Sequence, residues 1–446
     1  MTYDDALAFW YGRMNFEVRA AGPGDLKLER MRALLRGLGD PHDRLRLVHV
    51  TGTKGKGSTA AMLAAVLRAA GYRVGLFTSP HLEHVEERIR VDDAPITPAE
   101  LAARMDEIAP AVRRLEAAGG GWPGPTFFEI GTALGFLHFC RRRVDVAVIE
   151  VGLGGRFDST NVCRPLVSVV TSVGLDHTAQ LGNSLEEIAF QKAGIVKRRV
   201  PVVSGVTEPG PRDVIRAVAQ EAGAPLFELR RDFGYDYLFD AGGPRVMVST
   251  PRFTSDWLPL KLLGAHQGHN AALAVAAAGC LRDAGFTIPD AAVGRGLAGV
   301  DWPARVEVVG RRPAVVVDMA HNVPSAEALV ATLRQAFPAA RRKAVVFAVS
   351  SDKQYAAILA VLAGYFDHFF LTKYGTNPRC VPPEQLAETL AAVWPGRSAG
   401  VYATAAAAWR AASSAAGEDD LVCVTGSVFL AGELRPLLLA RNSGVG

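Results

Sequence analysis

Seven residues near the amino terminus, GTKGKGS (Gly52–Ser58), put three glycines, two lysines and two hydroxyls into one short turn. Gly52, Gly55 and Gly57 carry no Cβ, so backbone N–H groups can converge there on an anion. An apolar run, RLVHV, precedes the turn and an alanine-rich stretch, STAAMLAAVLRAAG, follows it. Strand, glycine turn and helix in succession aim the positive helix end at whatever the turn holds, which is the setting of a phosphate loop. Lys56 follows Gly55 as the lysine of such a loop does and is expected to reach β- and γ-phosphates. Ser58 is placed for a phosphate oxygen or for Mg2+. The spelling departs from GxxxxGK[ST], because Val50 stands where the first glycine would and Gly57 separates Lys56 from Ser58. A tight strand–helix turn with two exposed lysines is the plainer alternative, and the placement between strand and helix argues against it.

Two further strand ends carry donors that suit a divalent cation. VDVAVIEVGLGGRFDSTN ends its apolar run at Glu150 and continues into Gly152-Leu153-Gly154-Gly155, while PLVSVVTSV runs out into GLDHT with Asp176 and His177. In parallel sheets ligands gather at such carboxyl ends, and Glu150 and His177 are hard-to-borderline donors for Mg2+. Alone, an Asp-His pair is more often a helix cap beside a surface histidine. Two strand ends converging on a phosphate turn favour the metal. Lys192, in AFQKAGIVK, has apolar neighbours on both sides. Composition assigns it no role, although desolvation lowers a lysine pKa and makes the amine nucleophilic.

The elements that must position these residues alternate along the chain. RLVHV, YRVGLFT, VDVAVIEV, PLVSVVTSV and VPVVSGV read as strands buried on both faces, separated by helical stretches such as PAELAARMDEIAPAVRRLEAAG and FFEIGTALGFLHFCRRR. The pattern predicts an α/β fold with a parallel sheet covered by helices. Aromatics, turn residues and alternation over about 226–262 predict a small antiparallel β insertion. A second strand–helix series begins at VEVVGRRPAVVVDMAHN, so residues 1–300 are expected to form an ATPase-like domain and 301–446 a smaller C-terminal α/β domain.

Composition narrows the partners. The chain has 446 residues, 49% hydrophobic and 21% charged, with a net charge of +4 and interspersed acids and bases, which argues against nucleic acid. RRR at 141–143 reads as the solvated end of a helix. Five scattered cysteines without CxxC pairing argue against disulfides and zinc and fit a reducing cytoplasm. The amino terminus lacks the apolar core of a signal peptide, and no apolar run reaches membrane-spanning length. A cytoplasmic monomer acting on small molecules is expected.

Taken in order, DLKLERM (Asp25–Met31), GTKGKGS, TSPHL (Thr78–Leu82), TFFE (Thr126–Glu129), EVGLGGRFDSTN, TSVGLDHT, QKAGI, GAHQGHN (Gly264–Asn270), WPARVE (Trp302–Glu307), DMAHN (Asp318–Asn322), SDK and TGS resemble the folylpolyglutamate synthase/dihydrofolate synthase family of the Mur-ligase superfamily. The resemblance implies an ATP-dependent ligase that adds L-glutamate to a folate or dihydropteroate carboxylate through an acyl phosphate, on both acceptors. It assigns Gly52, Thr53, Lys54, Gly55, Lys56, Gly57 and Ser58 to the phosphates of ATP, and Asn270, Arg305 and Asp318 to the nucleotide. Arg305 would also neutralise charge in transit, with His321 and Lys353 lining the same cleft. Ser79, Glu150 and His177 would hold Mg2+, and Lys192 would be carbamylated by CO2 to help hold a second Mg2+. Asp25, Leu28, Arg30, Thr126, Phe128 (as a stacking platform), Gly154, Gly155 and Arg156 map onto pterin and folate binding. Lys54 departs from the usual GTNGKGS and is expected to face solvent. A Mur-type ligase of a cell-wall precursor is the alternative within the superfamily, and TSPHL and DLKLER argue against it. A phosphate-loop ATPase or regulatory protein that makes no covalent product is the alternative outside it. Glu150, His177, Lys192 and Asp318, all present, argue for the ligase.

Overall fold

The computed structural model describes residues 1–16, 27–119, 124–251, 253–375, 377–396 and 398–443. The chain forms two compact units. One comprises Met1–Leu238, Arg245–Lys261 and Gln267–Asp301, and the other Phe239–Pro244, Leu262–His266 and Trp302–Gly446.

Among the described residues, the first unit is built on an eight-stranded sheet. Its strands are Leu47–Thr51 (β1), Val74–Phe77 (β2), Ile89–Val91 (β3), Ala94–Pro95 (β4), Val146–Glu150 (β5), Val167–Val170 (β6), Val202–Ser204 (β7) and Leu226–Glu228 (β8), in the order β4-β3-β2-β5-β1-β6-β7-β8. From β2 to β8 the neighbours are parallel, and β3 and β4 add antiparallel at one edge. Every residue of β1 and β5 is buried, the result of near-continuous apolar runs covered by helices on both faces. Central β1 lies between β5 and β6, with Val50 opposite both Glu150 and Val169. That register brings the glycine turn, Glu150 and the TSVGLDHT segment to one carboxyl edge.

Two helices anchor this edge. Lys56–Ala69 leaves the glycine turn and is buried from Gly57 to Leu67. Phe127–Arg141 starts at a capping box in which Thr126 accepts the Glu129 N–H and the Glu129 carboxylate accepts the Thr126 N–H. Its Phe127 ring stacks on Trp10 with centroids 4.9 Å apart, and Trp10 Nε1 donates to the Phe127 carbonyl at 2.8 Å. Burying one such aromatic stabilises the fold by about 1.5–3 kcal/mol.

The segment 226–262 divides differently from the expectation. Leu226–Glu228 joins the parallel sheet as β8, and the antiparallel sheet comprises Gly234–Asp240 (β9), Gly243–Thr250 (β10), Phe253–Thr254 (β11) and Leu258–Pro259 (β12). Three residues are too few for alternation to distinguish an edge strand of one sheet from the first strand of another.

In the second unit Glu307–Arg311 (β13), Ala314–Val317 (β14), Lys343–Phe347 (β15), His368–Leu371 (β16), Ser398–Val401 (β17) and Leu421–Thr425 (β18) form a sheet in the order β13-β14-β18-β15-β16-β17. Only the β13–β14 pair is antiparallel among these neighbours. Val345, Phe347, Phe366 and Phe369 belong to its core. Among the described residues, no helix is long and apolar enough to cross a membrane.

Candidate active site

The glycine turn is held from one side by the residues after β6. Thr53 N–H donates to the Ser172 carbonyl at 2.8 Å, and Lys54 N–H donates to Ser172 Oγ at 2.9 Å. Thr171 Oγ1 and Ser172 Oγ both donate to the Lys54 carbonyl, at 2.6 and 3.0 Å. Gly55 precedes the helix in the left-handed region at φ +83°, and a Cβ there would lie 2.2 Å from Asn270 Oδ1. Only glycine fits this position, because Asn270, on the helix Ala265–Asp283, sits directly against the turn. Lys56 Nζ folds back onto the Gly52 carbonyl at 3.1 Å, and Ser58 is buried in the first turn of the helix. A cradle that admits no Cβ at Gly52 or Gly55, a helix start and a lysine beside it together match the shape and charge of a polyphosphate.

Lys54 does not simply face solvent. Its Nζ donates to Asp176 Oδ2 at 3.0 Å, with the lysine side chain 35% exposed and the aspartate 16%. The expectation failed because the loop after β6 folds over the turn and brings in a carboxylate distant in sequence.

Glu150, at the end of β5, is buried, and its Oε2 accepts the backbone N–H of Ser79 at 3.1 Å. His177 sits in the left-handed region at φ +51°, with its N–H on Asp176 Oδ1 at 3.1 Å and half of its side chain exposed. Among the described residues, the cluster of three acidic or imidazole groups near enough to share a metal is Asp40, His42 and Asp43. That cluster precedes β1 and so lies at the opposite edge of the sheet. A cation at the glycine turn would therefore depend on few protein donors plus phosphate oxygens. This is the manner in which Mg2+ binds beside nucleotides, and the oxygen and imidazole donors of Ser79, Glu150 and His177 fit it.

Lys192, on the helix Leu185–Ala193, is buried. Burial pushes its amine well below the usual lysine range, and Lys56 and Lys54 push the same way against the opposing pull of Asp176. The turn after β5 docks on the end of this helix. Arg156 N–H donates to the Gln191 carbonyl at 2.8 Å, and a Cβ at Gly155 would lie 2.8 Å from the Lys192 carbonyl. Thr51 Oγ1 donates to the Gly154 carbonyl at 2.6 Å, tying that same turn to β1.

The residues assigned to pterin and folate divide. Phe128 is half-buried beside this turn, its ring over Gly152, where a Cβ would meet it at 2.4 Å. The Arg156 guanidinium lies 3.9 Å over the Phe190 ring, which is itself partly exposed. Arg30 donates through Nε to Glu129 Oε2 at 2.6 Å in a buried ion pair, the same carboxylate that serves the Thr126 cap. Arg30 and Thr126 thus hold the start of the Phe127–Arg141 helix. Leu28 begins the helix Leu28–Gly37, and Asp25 lies outside the described residues.

Arg305, Asp318 and His321 belong to the second unit. Asp318, at the end of β14, is buried and accepts the N–H groups of Val306 at 2.9 Å and Ala320 at 2.7 Å. Burial pushes its carboxyl above the usual range, opposed by these N–H groups and by Arg305. His321 Nδ1 lies 2.9 Å from the Met319 carbonyl, and Lys353 Nζ pairs with Asp352 at 3.4 Å.

Three residues that shape the site were not singled out in the sequence. Thr171 and Ser172 grip the glycine turn, and their signal was a polar pair directly after the valine run of β6. Asp158, buried, accepts N–H groups from Leu153 at 2.8 Å and Thr160 at 3.0 Å and so closes the turn after β5.

The family models that match are the Mur ligase middle domain over residues 121–278 and the Mur ligase glutamate ligase domain over residues 304–428. The chain is 42% identical over 357 residues to a dihydrofolate synthase/folylpolyglutamate synthase of Bacillus subtilis, covering 79% of this chain and 81% of the relative. It is 36% identical to the folylpolyglutamate synthase of Lacticaseibacillus casei, covering 99% of this chain and all of the relative. Among solved structures, the Mycobacterium tuberculosis folylpolyglutamate synthase complexed with ADP superposes with a TM-score of 0.89 at 32% identity, covering 98% of each chain. E. coli FolC in complex with DHPP and ADP gives 0.85 at 33%, covering 99% of each. The chain belongs to the folylpolyglutamate synthase/dihydrofolate synthase family of Mur ligases, which are ATP-dependent, amide-forming ligases.

Proposed function

We propose that this chain joins L-glutamate to the carboxylate of a folate or dihydropteroate at the expense of ATP, serving both acceptors. The observation that carries the reading is the single sheet edge where the Gly52–Ser58 cradle, buried Glu150 and buried, charge-depleted Lys192 meet. The structural relative with DHPP and ADP supports it.

A carboxylate is a poor acyl donor, so one of its oxygens first attacks the γ-phosphorus of ATP, forming an acyl phosphate and releasing ADP. The turn N–H groups and Lys56 hold the phosphates and offset the charge that shifts between them. The neutral amine of glutamate then attacks the acyl carbon. The tetrahedral adduct expels phosphate and loses a proton, leaving the amide. We assign Mg2+ to Ser79, Glu150, His177 and a carbamate on Lys192; when bound it neutralises phosphate charge. The Lys192 environment supports that carbamate, because only an unprotonated amine adds to CO2. Phe128 and the Gly154–Arg156 turn are assigned to the pterin, and Asn270, Arg305 and Asp318 to the nucleotide. Arg305 and His321 are assigned to turnover. Oriented binding of three substrates supplies a large share of the acceleration.

The test is ADP release measured with dihydropteroate and with tetrahydrofolate separately, each with and without L-glutamate. Release that requires glutamate and either acceptor is expected. Release indifferent to both would identify an ATPase without a ligase product.

A further inference from the structure

Lys56 supplies the working cation of the glycine turn, which leaves Lys54 without a task in the reaction. Its surroundings give it one. The main chain of Lys54 is fixed to the end of β6 through Thr171 and Ser172, and its side chain continues in the same direction to Asp176. The Asp176 carboxylate touches both segments, with Oδ2 taking the Lys54 ammonium at 3.0 Å and Oδ1 the His177 N–H at 3.1 Å, the His177 Nε2 lying 3.9 Å from the same Oδ1. His177 holds a left-handed backbone at φ +51°, a conformation that a non-glycine residue keeps only when its surroundings enforce it.

We infer that Lys54 is a positioning residue: through Asp176 it pins the His177 turn to the glycine loop, setting the metal donor and the phosphate cradle in one arrangement before substrate binds. The task of His177 rests on the ligase reading above, whereas the tether itself does not. Geometry favours a tether over direct phosphate contact, because the Lys54 ammonium is engaged by a carboxylate that is mostly shielded from water. A surface ion pair would be screened and contribute little. Here the same carboxylate also fixes a strained backbone, so losing the pair frees two segments at once.

Hydrogen–deuterium exchange on the metal- and nucleotide-free protein tests the tether. Exchange over residues 172–178 is expected to rise about threefold or more in Lys54→Met and in Asp176→Asn, and to return towards the parent rate in Lys54→Arg. The double variant is expected to match the single ones, since both substitutions break one contact. As a second readout, Mn2+ binding with ADP present, followed by electron paramagnetic resonance, is expected to weaken about fivefold in both single variants, with kcat falling less than in proportion. Unchanged exchange in Lys54→Met, additive effects in the double variant, or tighter ADP binding in Asp176→Asn would overturn the proposal. The last result would make Lys54 a phosphate ligand that Asp176 restrains. A parent enzyme without glutamate-dependent ADP release would refute the ligase reading while leaving the exchange result standing.

Discussion

The backbone N–H of Ser79 donates to Glu150 Oε2 at 3.1 Å, joining the turn after β2 to the end of β5 through one carboxylate oxygen. The two strands are parallel neighbours with Phe77 opposite Ile149, so the contact sits one residue beyond the sheet register. It aims a buried carboxylate that the apolar strand could not aim by itself.

Glu150→Gln keeps this shape and removes the charge. Turnover is expected to fall by about 100-fold or more, the scale on which losing one preorganised charge at phosphoryl transfer is felt. The melting temperature is expected to stay close to that of the parent, since the amide oxygen still accepts from Ser79. Steady-state kinetics across a Mg2+ series with thermal melts decides it; a loss below fivefold removes Glu150 from the metal site.

Gly55→Ala separates crowding from backbone strain. The position has φ +83° and a Cβ would lie 2.2 Å from Asn270 Oδ1, whereas Gly71, at φ +94°, has open space around it. Gly71→Ala is expected to lose only the backbone term, about 1–2 kcal/mol. Gly55→Ala is expected to lose more and to weaken ADP binding about tenfold or more, because the turn must shift away from Asn270. Calorimetric titration with ADP distinguishes them, and equal ADP affinity in the two variants would remove the turn from phosphate binding.

Lys192→Met replaces a buried amine with an apolar chain of similar length. The protein is expected to melt no lower than the parent, since a desolvated amine contributes little to folding. Activity is expected to fall about 100-fold or more, and small carboxylates are expected to rescue part of it in Lys192→Ala. Labelling with 13C-carbonate should give a protein-bound carbamate resonance in the parent and none in the methionine variant. A parent without that resonance, and fully active in CO2-depleted buffer, would refute carbamylation.

What could be read from the chain followed the range of the interactions. The runs ending at Val50, Glu150 and Val170 were legible as strands because burial on both faces leaves a near-continuous apolar pattern. Gly55 was legible because a left-handed helix start selects glycine. The partner of Lys54 was not, because Asp176 is 122 positions away and the choice between solvent and carboxylate depends on how a loop folds back. The pairing of Arg30 with Glu129, 99 positions apart, escaped for the same reason, so the sequence did not show that this arginine also supports a helix cap. The burial of Lys192 was legible in its apolar neighbours, but its chemical role was not, because that depends on the glycine turn and the turn after β5 that meet it. Short β8 was misassigned because three residues carry no usable period.

His49 makes stability depend on pH. It lies inside β1, its Nε2 2.8 Å from Thr160 Oγ1, and burial, assisted by Lys197, pushes its pKa down to about 3. In the unfolded chain an imidazole titrates near 6.5. Between these values the unfolded state binds the proton and the native state does not. The stability is therefore complete above about pH 6.5 and is lost as pH falls towards 3, at up to about 1.4 kcal/mol per pH unit. His138, pushed down to about 4 chiefly by burial, acts in the same direction. Denaturant titrations at pH 7 and pH 5 are expected to show a loss of about 2 kcal/mol from His49 alone. His49→Gln retains a partner for Thr160 and is expected to reduce the pH 7 to pH 5 difference by that amount. An undiminished difference in the variant would mean that His49 takes up its proton without opening the strand.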